Sequence, residues 1–166
     1  MRKLMFYIFL LIFFSCKKNE TIYYPDGKPK YINEWKNHIL NIKRYDSKGN
    51  LIFRGKFKDS RLIDTLYIYD DNDDNETFIK MNDSISNNFF YGTYITKYST
   101  GKITKISPLR FKKGNDLDSI LNSSRSYGKE ILYNPDGILA RETHYKIIGD
   151  SSILVSEKIY DEKLKK

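Results

Sequence analysis

The chain has 166 residues, 40% of them hydrophobic and 15% aromatic, with a formal net charge of +8 and a single cysteine. That length suits one domain plus a short terminal segment. One cysteine excludes an internal disulfide and a thiolate metal cluster, so neither can hold this fold together.

Arg2 and Lys3 give the chain a basic start, and residues 4–14 follow without a charge. About 20 apolar residues are needed to cross a bilayer as a helix, so this run is too short to span one. It matches the apolar core of a secretory leader, which takes roughly 7–15 residues after a basic flank. The run ends at Phe13-Phe14-Ser15-Cys16. An ordinary cleavage site has small residues at two positions before the cut, and here only Ser15 is small. The segment instead resembles a bacterial lipobox of the style seen in Bacteroidota lipoproteins. The resemblance implies a leader over 1–15 and cleavage before Cys16. Diacylglyceryl and N-acyl chains on Cys16 would then hold the protein in the outer membrane, in either leaflet. Two or more acyl chains give stable anchoring where one does not. A free redox thiol is the alternative role for Cys16. Residues 16–20, Cys-Lys-Lys-Asn-Glu, would form a polar tether to a single domain over 21–166. Loss of Arg2 and Lys3 lowers the formal charge to +6. An exported chain does not meet chromosomal DNA, so this charge points away from nucleic acid and toward an anionic lipid or polysaccharide surface.

Beyond the tether, short runs rich in Tyr, Phe, Ile and Thr are separated by Gly, Asn, Asp, Ser and Pro clusters. That is the composition of strands and turns. Strands are expected over 21–24, 30–36, 39–45, 51–58, 62–69, 77–81, 89–98, 102–111, 129–133, 138–147 and 152–160. In 51–58, Leu51, Phe53, Gly55 and Phe57 alternate with Ile52, Arg54, Lys56 and Lys58, which puts the two sets on opposite faces. Links this short favour antiparallel hairpins, since a parallel pair needs a long crossover. Residues 116–123 predict one short helical turn with Asp116 as its N-cap.

Several turns look alike. Tyr24-Pro25-Asp26-Gly27, Tyr45-Asp46-Ser47-Lys48-Gly49, Tyr98-Ser99-Thr100-Gly101 and Tyr133-Asn134-Pro135-Asp136-Gly137 each follow an aromatic strand end with a polar turn and a glycine. A second element, Trp35-Lys36-Asn37-His38 and Phe57-Lys58-Asp59-Ser60, alternates with the first. Trp35 and Phe57 stand 22 residues apart and Tyr45 and Tyr69 stand 24 apart, one two-strand unit each. Over 23–71, and again over 127–145, the chain resembles the bacterial MORN-repeat variant family. His38 and Ser60 take the place of that family's usual glycine. The resemblance implies an elongated all-β meander of degenerate hairpin repeats about 22–24 residues long. An unrelated β-meander is the alternative.

Chemistry is sparse by comparison. His38 is expected in a turn and His144 in a strand, with no ligand spacing around either. No nucleophile elbow or phosphate loop is present. The reading is therefore a protein that is not an enzyme and carries no catalytic residue, cofactor or metal. The loop Asp70-Asp71-Asn72-Asp73-Asp74-Asn75-Glu76 is acidic enough to attract Ca²⁺. An EF-type loop, however, wants Gly at its sixth position and Glu at its twelfth, where Asn75 and Met81 stand; a solvated hairpin loop is expected. The triplets at Thr65, Ser84 and Ser119 resemble the Asp-Ser/Thr-apolar acceptor of Bacteroidota O-glycosylation. Fourteen Tyr and ten Phe serve chiefly to cover one another across a thin sheet, or else offer a face to a sugar polymer. The functional expectation is an anchored binding or scaffold module for an envelope protein or polysaccharide. The alternative is an antitoxin or immunity-type protein, a label some members of the resembling family carry.

Overall fold

The computed structural model describes residues 18–70 and 75–160. Twelve antiparallel strands form one open sheet: β1 (Glu20–Tyr23), β2 (Pro29–Lys36), β3 (Ile39–Tyr45), β4 (Leu51–Lys58), β5 (Arg61–Ile68), β6 (Glu76–Ile85), β7 (Phe89–Lys97), β8 (Ile103–Lys112), β9 (Arg125–Ser126), β10 (Gly128–Tyr133), β11 (Leu139–Ile148) and β12 (Ser151–Ile159). Each strand pairs with its neighbour in sequence, except that β8 pairs with both β9 and β10. The all-β hairpin meander expected from the sequence is what forms.

The turn residues explain the connections. At one end of the sheet the Tyr-containing turns close in the same way. Tyr24, Asp46, Tyr98 and Asn134 each accept a hydrogen bond from the glycine three residues on, and each donates its own N–H to a carbonyl four residues on. The glycines sit at φ 83, 95, 81 and 85°, a region that side chains disfavour. Asp46 adds side-chain bonds from the Lys48 and Asn50 N–H groups at 2.8 and 2.9 Å. The turns also stack in pairs. The Tyr24 hydroxyl donates to Tyr45 O at 2.9 Å and Lys28 Nζ to Ser47 O at 3.4 Å. The same contacts recur from Tyr98 to Tyr133 O and from Lys102 to Asp136 O. At the opposite end, Asn37-His38 and Asp59-Ser60 are two-residue loops with both residues at positive φ, the geometry whose twist matches flanking strands. Thus His38 and Ser60 adopt the conformation for which glycine is best suited.

Three elements differ from the sequence reading. β6 runs on to Ile85 where the expected strand stopped at Met81, with a register shift between those residues. β9 is an additional two-residue strand. At its junction with β10, Tyr127 still donates its N–H to Pro108 O at 3.1 Å, but residues 127–130 oppose only Ser107 and Pro108 of β8, a bulge in which Gly128 sits at φ 65°. Finally, the sheet has a core, on one of its faces. The helix α1 (Leu117–Asn122) forms where expected, and the Asp116 carboxylate caps it by accepting from Ser119 N at 2.8 Å. It then folds back over the sheet.

That fold-back defines an inner face. Ile42, Phe57, Leu62, Leu66, Ile79, Phe90 and Phe111 are buried there with Leu117 and Ile120 of α1. Phe90 and Phe111 stack with centroids 5.2 Å apart. Gly55 lies directly under Leu66, whose Cδ1 would be 2.7 Å from an added Cβ. Asp118 pairs with Arg44 of β3 and accepts from the Tyr31 hydroxyl of β2 at 3.3 Å. Five residues later, Ser123 Oγ accepts from Lys112 N of β8 at 2.9 Å. β3 and β8 are five strands apart, about 24 Å in a flat sheet, whereas five helical residues rise only about 7.5 Å. The sheet therefore curls around α1, leaving the other face turned outward.

Candidate functional site

The sequence-predicted positions do not converge. Cys16 lies outside the described residues, as do 71–74 of the acidic loop. Of that loop, Glu76 opens β6 and pairs with Lys97 at 3.0 Å. His38 stands in the β2–β3 turn and His144 in β11, at separated points of the sheet. Among the described residues no cluster of three His, Cys, Asp or Glu is placed to hold a metal ion. None of their helices is long and apolar enough to cross a membrane. Thr65 is half-buried in β5, while Ser84 in β6 and Ser119 in α1 are exposed.

What the register assembles instead is a surface. Residues paired across neighbouring strands share a face, so the pairings trace lines across the sheet. On the outer face one line runs Lys43, Arg54, Tyr67, Phe78, Ile95, Ile106, Ile131, Glu142, Lys158. Parallel rows add Lys56, Lys80, Lys97, Arg110 and Lys129. The acids on this face in paired strands are few: Glu34, Asp64, Glu76 and Glu142. Lys56 binds Asp64 at 2.8 Å, Lys97 binds Glu76, and Lys129 binds Glu142. Among the described residues, Lys43, Arg54, Arg61, Lys80 and Lys146 have no carboxylate partner. The inner face is balanced by contrast, since Arg44, Lys105 and Arg141 each pair with an acid.

Hydrogen bonding to their lysines is the main reason why Asp64 and Glu142 stay ionised to lower pH than usual. Rings lie between the cations: Arg54 is 4.7 Å from the Tyr67 centroid, Lys97 is 4.9 Å from Phe78 and Arg110 is 4.2 Å from Phe89. Such stacking holds long cationic side chains flat without neutralising them.

Clefts on this face concentrate the pattern. One of about 360 Å³ is lined by Lys43, Arg54, Lys56 and Tyr67 together with the acids Glu34 and Asp64. Another, of about 490 Å³, opens at the β9–β10 bulge, where Tyr91, Arg110, Tyr127, His144 and Lys146 line it. The bulge turns Tyr127 edge-on to Tyr91, with centroids 5.3 Å apart. Burial, and secondarily the neighbouring Tyr91 phenol, keep Tyr127 protonated to higher pH than a free phenol. Arg110 is braced by Gly149 O at 2.9 Å, and Lys112 by Asp150 at 2.6 Å. Aromatic platforms beside fixed cations suit an anionic polymer bearing flat apolar patches, as many acidic sugars do.

Sequence reasoning counted the basic charge without placing it. The available signal was alternation, with Arg54, Lys56 and Lys58 on one parity of β4. Extending that parity across strands needs the register. No family of known proteins, no curated protein and no solved structure matches this chain.

Proposed function

We propose that this chain is an outer-membrane lipoprotein, anchored through acylated Cys16, whose outer sheet face binds an acidic envelope polysaccharide without altering it chemically. The reading is supported above all by the open face carrying Lys43, Arg54, Lys80 and Arg110, with Tyr67, Phe78, Phe89 and Tyr91 set among them. A basic surface with few acids attracts polyanions through released counterions, and that attraction weakens with salt. The family resemblance in the repeats and the lipobox belong to the same reading.

Two measurements test it. Intact mass of protein isolated from membranes should exceed the chain beginning at Cys16 by a diacylglyceryl and an N-acyl group. Cys16→Ser should abolish the increment and release the protein from the membrane. In titrations the protein should bind polygalacturonate and not neutral dextran, with affinity falling as salt rises. Replacing Lys43 and Arg54 by Gln should reduce the salt slope by about two, by analogy with the near-unit slope per neutralised phosphate in DNA. Equal retention on dextran would reject the polysaccharide reading.

A second reading, a toxin-neutralising partner, is favoured by β12. This edge strand exposes Ile153, Leu154 and Val155, and an exposed edge can accept a partner strand. Toxicity on deletion, relieved by deleting a neighbouring gene as well, would decide for it.

A further inference from the structure

The curled inner face holds a feature that the outer-face reading does not use. A groove of about 370 Å³ runs beneath the end of α1, within the usual size range of small-ligand sites, ~300–1,000 Å³. Phe53, Ile68, Ile79, Tyr94, Leu109 and Leu121 make its apolar walls. Along β8, Lys105 and Ser107 stand at one end and Leu109 and Phe111 at the other, all on the inner face, with Ser124 and Ser126 completing the rim beside Leu109.

Ser107 is the anomaly. It is only 2% exposed, and its hydroxyl has no hydrogen-bond partner among the described residues. Buried polar atoms are nearly always satisfied, and one left without a partner is costly. Two positions away, Lys105 gives one donor to buried Glu130 at 3.0 Å. An ammonium has three donors, so two remain for another acceptor. A buried hydroxyl and a lysine ammonium at the head of an apolar groove describe a particular kind of ligand.

We propose that this groove binds a long-chain fatty acid. The acyl chain would lie along Leu109, Ile79, Ile68 and Phe53 under Leu121. One carboxylate oxygen would accept from Lys105 and the other from the Ser107 hydroxyl, which is sealed from solvent and would have to rotate toward the ligand. Glu130 opposes a second carboxylate in electrostatic terms, and its bond to Lys105 fixes the ammonium so that its remaining donors keep one direction. This inference is independent of whether the outer face binds polysaccharide.

The test uses the protein as isolated from cells, in phosphatidylethanolamine vesicles if it carries the acyl chains proposed above and in detergent-free buffer if it does not, so that the outcome does not depend on anchoring. A photoactivatable palmitate analogue is added, and the cross-linked residues are mapped by peptide mass spectrometry. Labelling should concentrate in β6–β8 and α1 and be competed away by oleate. Ser107→Ala should weaken labelling roughly threefold to tenfold, the worth of one hydrogen bond. In ligand-free protein the same change should leave the thermal midpoint unchanged or raise it, because it removes an unsatisfied buried hydroxyl. Leu121→Trp, which fills the groove from the helix side, should abolish labelling. If Leu121→Trp prevents folding, Ser107→Ala alone carries the test. Labelling spread evenly over the chain, labelling only by a photoactivatable phospholipid, or Ser107→Ala binding as well as the parent would overturn the proposal.

Discussion

His38→Gly should stabilise this protein, and the reason can be worked from one turn. Asn37 and His38 form the two-residue loop between β2 and β3 at φ 50 and 62°. A residue with a Cβ pays about 1–2 kcal/mol to sit in the left-handed region. Glycine avoids that cost but gives up about 0.4–1 kcal/mol through its greater freedom in the unfolded chain. The net gain is about 0.5–1 kcal/mol, equivalent to a rise of about 1–4 °C in the thermal midpoint at this size. The β4–β5 turn provides an internal comparison. Ser60 has the same backbone conformation at φ 59°, yet its hydroxyl donates to the Asn115 side chain at 3.2 Å. Ser60→Gly removes that bond, worth about 0.5–1.5 kcal/mol, and should come out near neutral. In the reverse direction, Gly27→Ala at φ 83° meets no atom within 4 Å of the new Cβ. It should lose about 0.5–1 kcal/mol from the backbone alone. Urea denaturation of the three variants, with m unchanged from the parent, reads these differences directly. If His38→Gly destabilises, or Ser60→Gly gains as much as His38→Gly, the turn argument is wrong.

Two further outcomes follow from the packing and the ion pairs. Phe111→Ala removes a fully buried ring that stacks on Phe90. It should cost about 3–5 kcal/mol, and an unfolding free energy from urea titration within about 1 kcal/mol of the parent would show that α1 does not seal the inner face. Acid should destabilise the fold. Asp46 is held below its ordinary pKa chiefly by the Asn50 N–H, Asp64 by Lys56, Glu142 by Lys129 and Asp150 by Lys112. Carboxylates depressed in the folded state contribute stability above their unfolded pKa, about 4, and lose it as pH falls through the folded value. The thermal midpoint should therefore be level from pH 7 to about 5 and drop below about 4. A midpoint that rises on acidification to about pH 3 would contradict the assignment. Tyr127 and Lys129, both raised, have the opposite sign. Their contribution is complete below about pH 10 and lost as the pH rises through their folded values.

The turns were the most legible part of the sequence. Tyr24 to Gly27 and Asp46 to Gly49 carry their geometry in a few adjacent residues, because positive φ and side-chain turns are decided locally. The strands between them follow from period-two alternation, and the cap at Asp116 from one carboxylate at the right offset. Boundaries were less legible where the ladder is irregular. Nothing in 82–85 marks the continuation of β6 past its register shift. Nothing in Ser124-Arg125-Ser126 announces a two-residue strand, since its partner Leu109 lies far away in the chain.

The sequence alone therefore determined an all-β hairpin meander, its turn chemistry and its basic excess. Only the tertiary structure decided which way each strand faces and what that gathers. Arg44 and Asp118 are 74 residues apart, and Tyr31 and Asp118 are 87 apart. Contacts at that range depend on the accumulated register and curl of many strands, which no local window contains. Those contacts seat α1 on one face and bury Phe90, Phe111 and Ile120 there. Among the described residues they also leave Ser107 without a partner at the head of a groove and turn the lysines and arginines that lack a carboxylate outward. A one-residue slip in any single strand would exchange that strand's faces, so the charged surface and the groove are properties of the whole sheet.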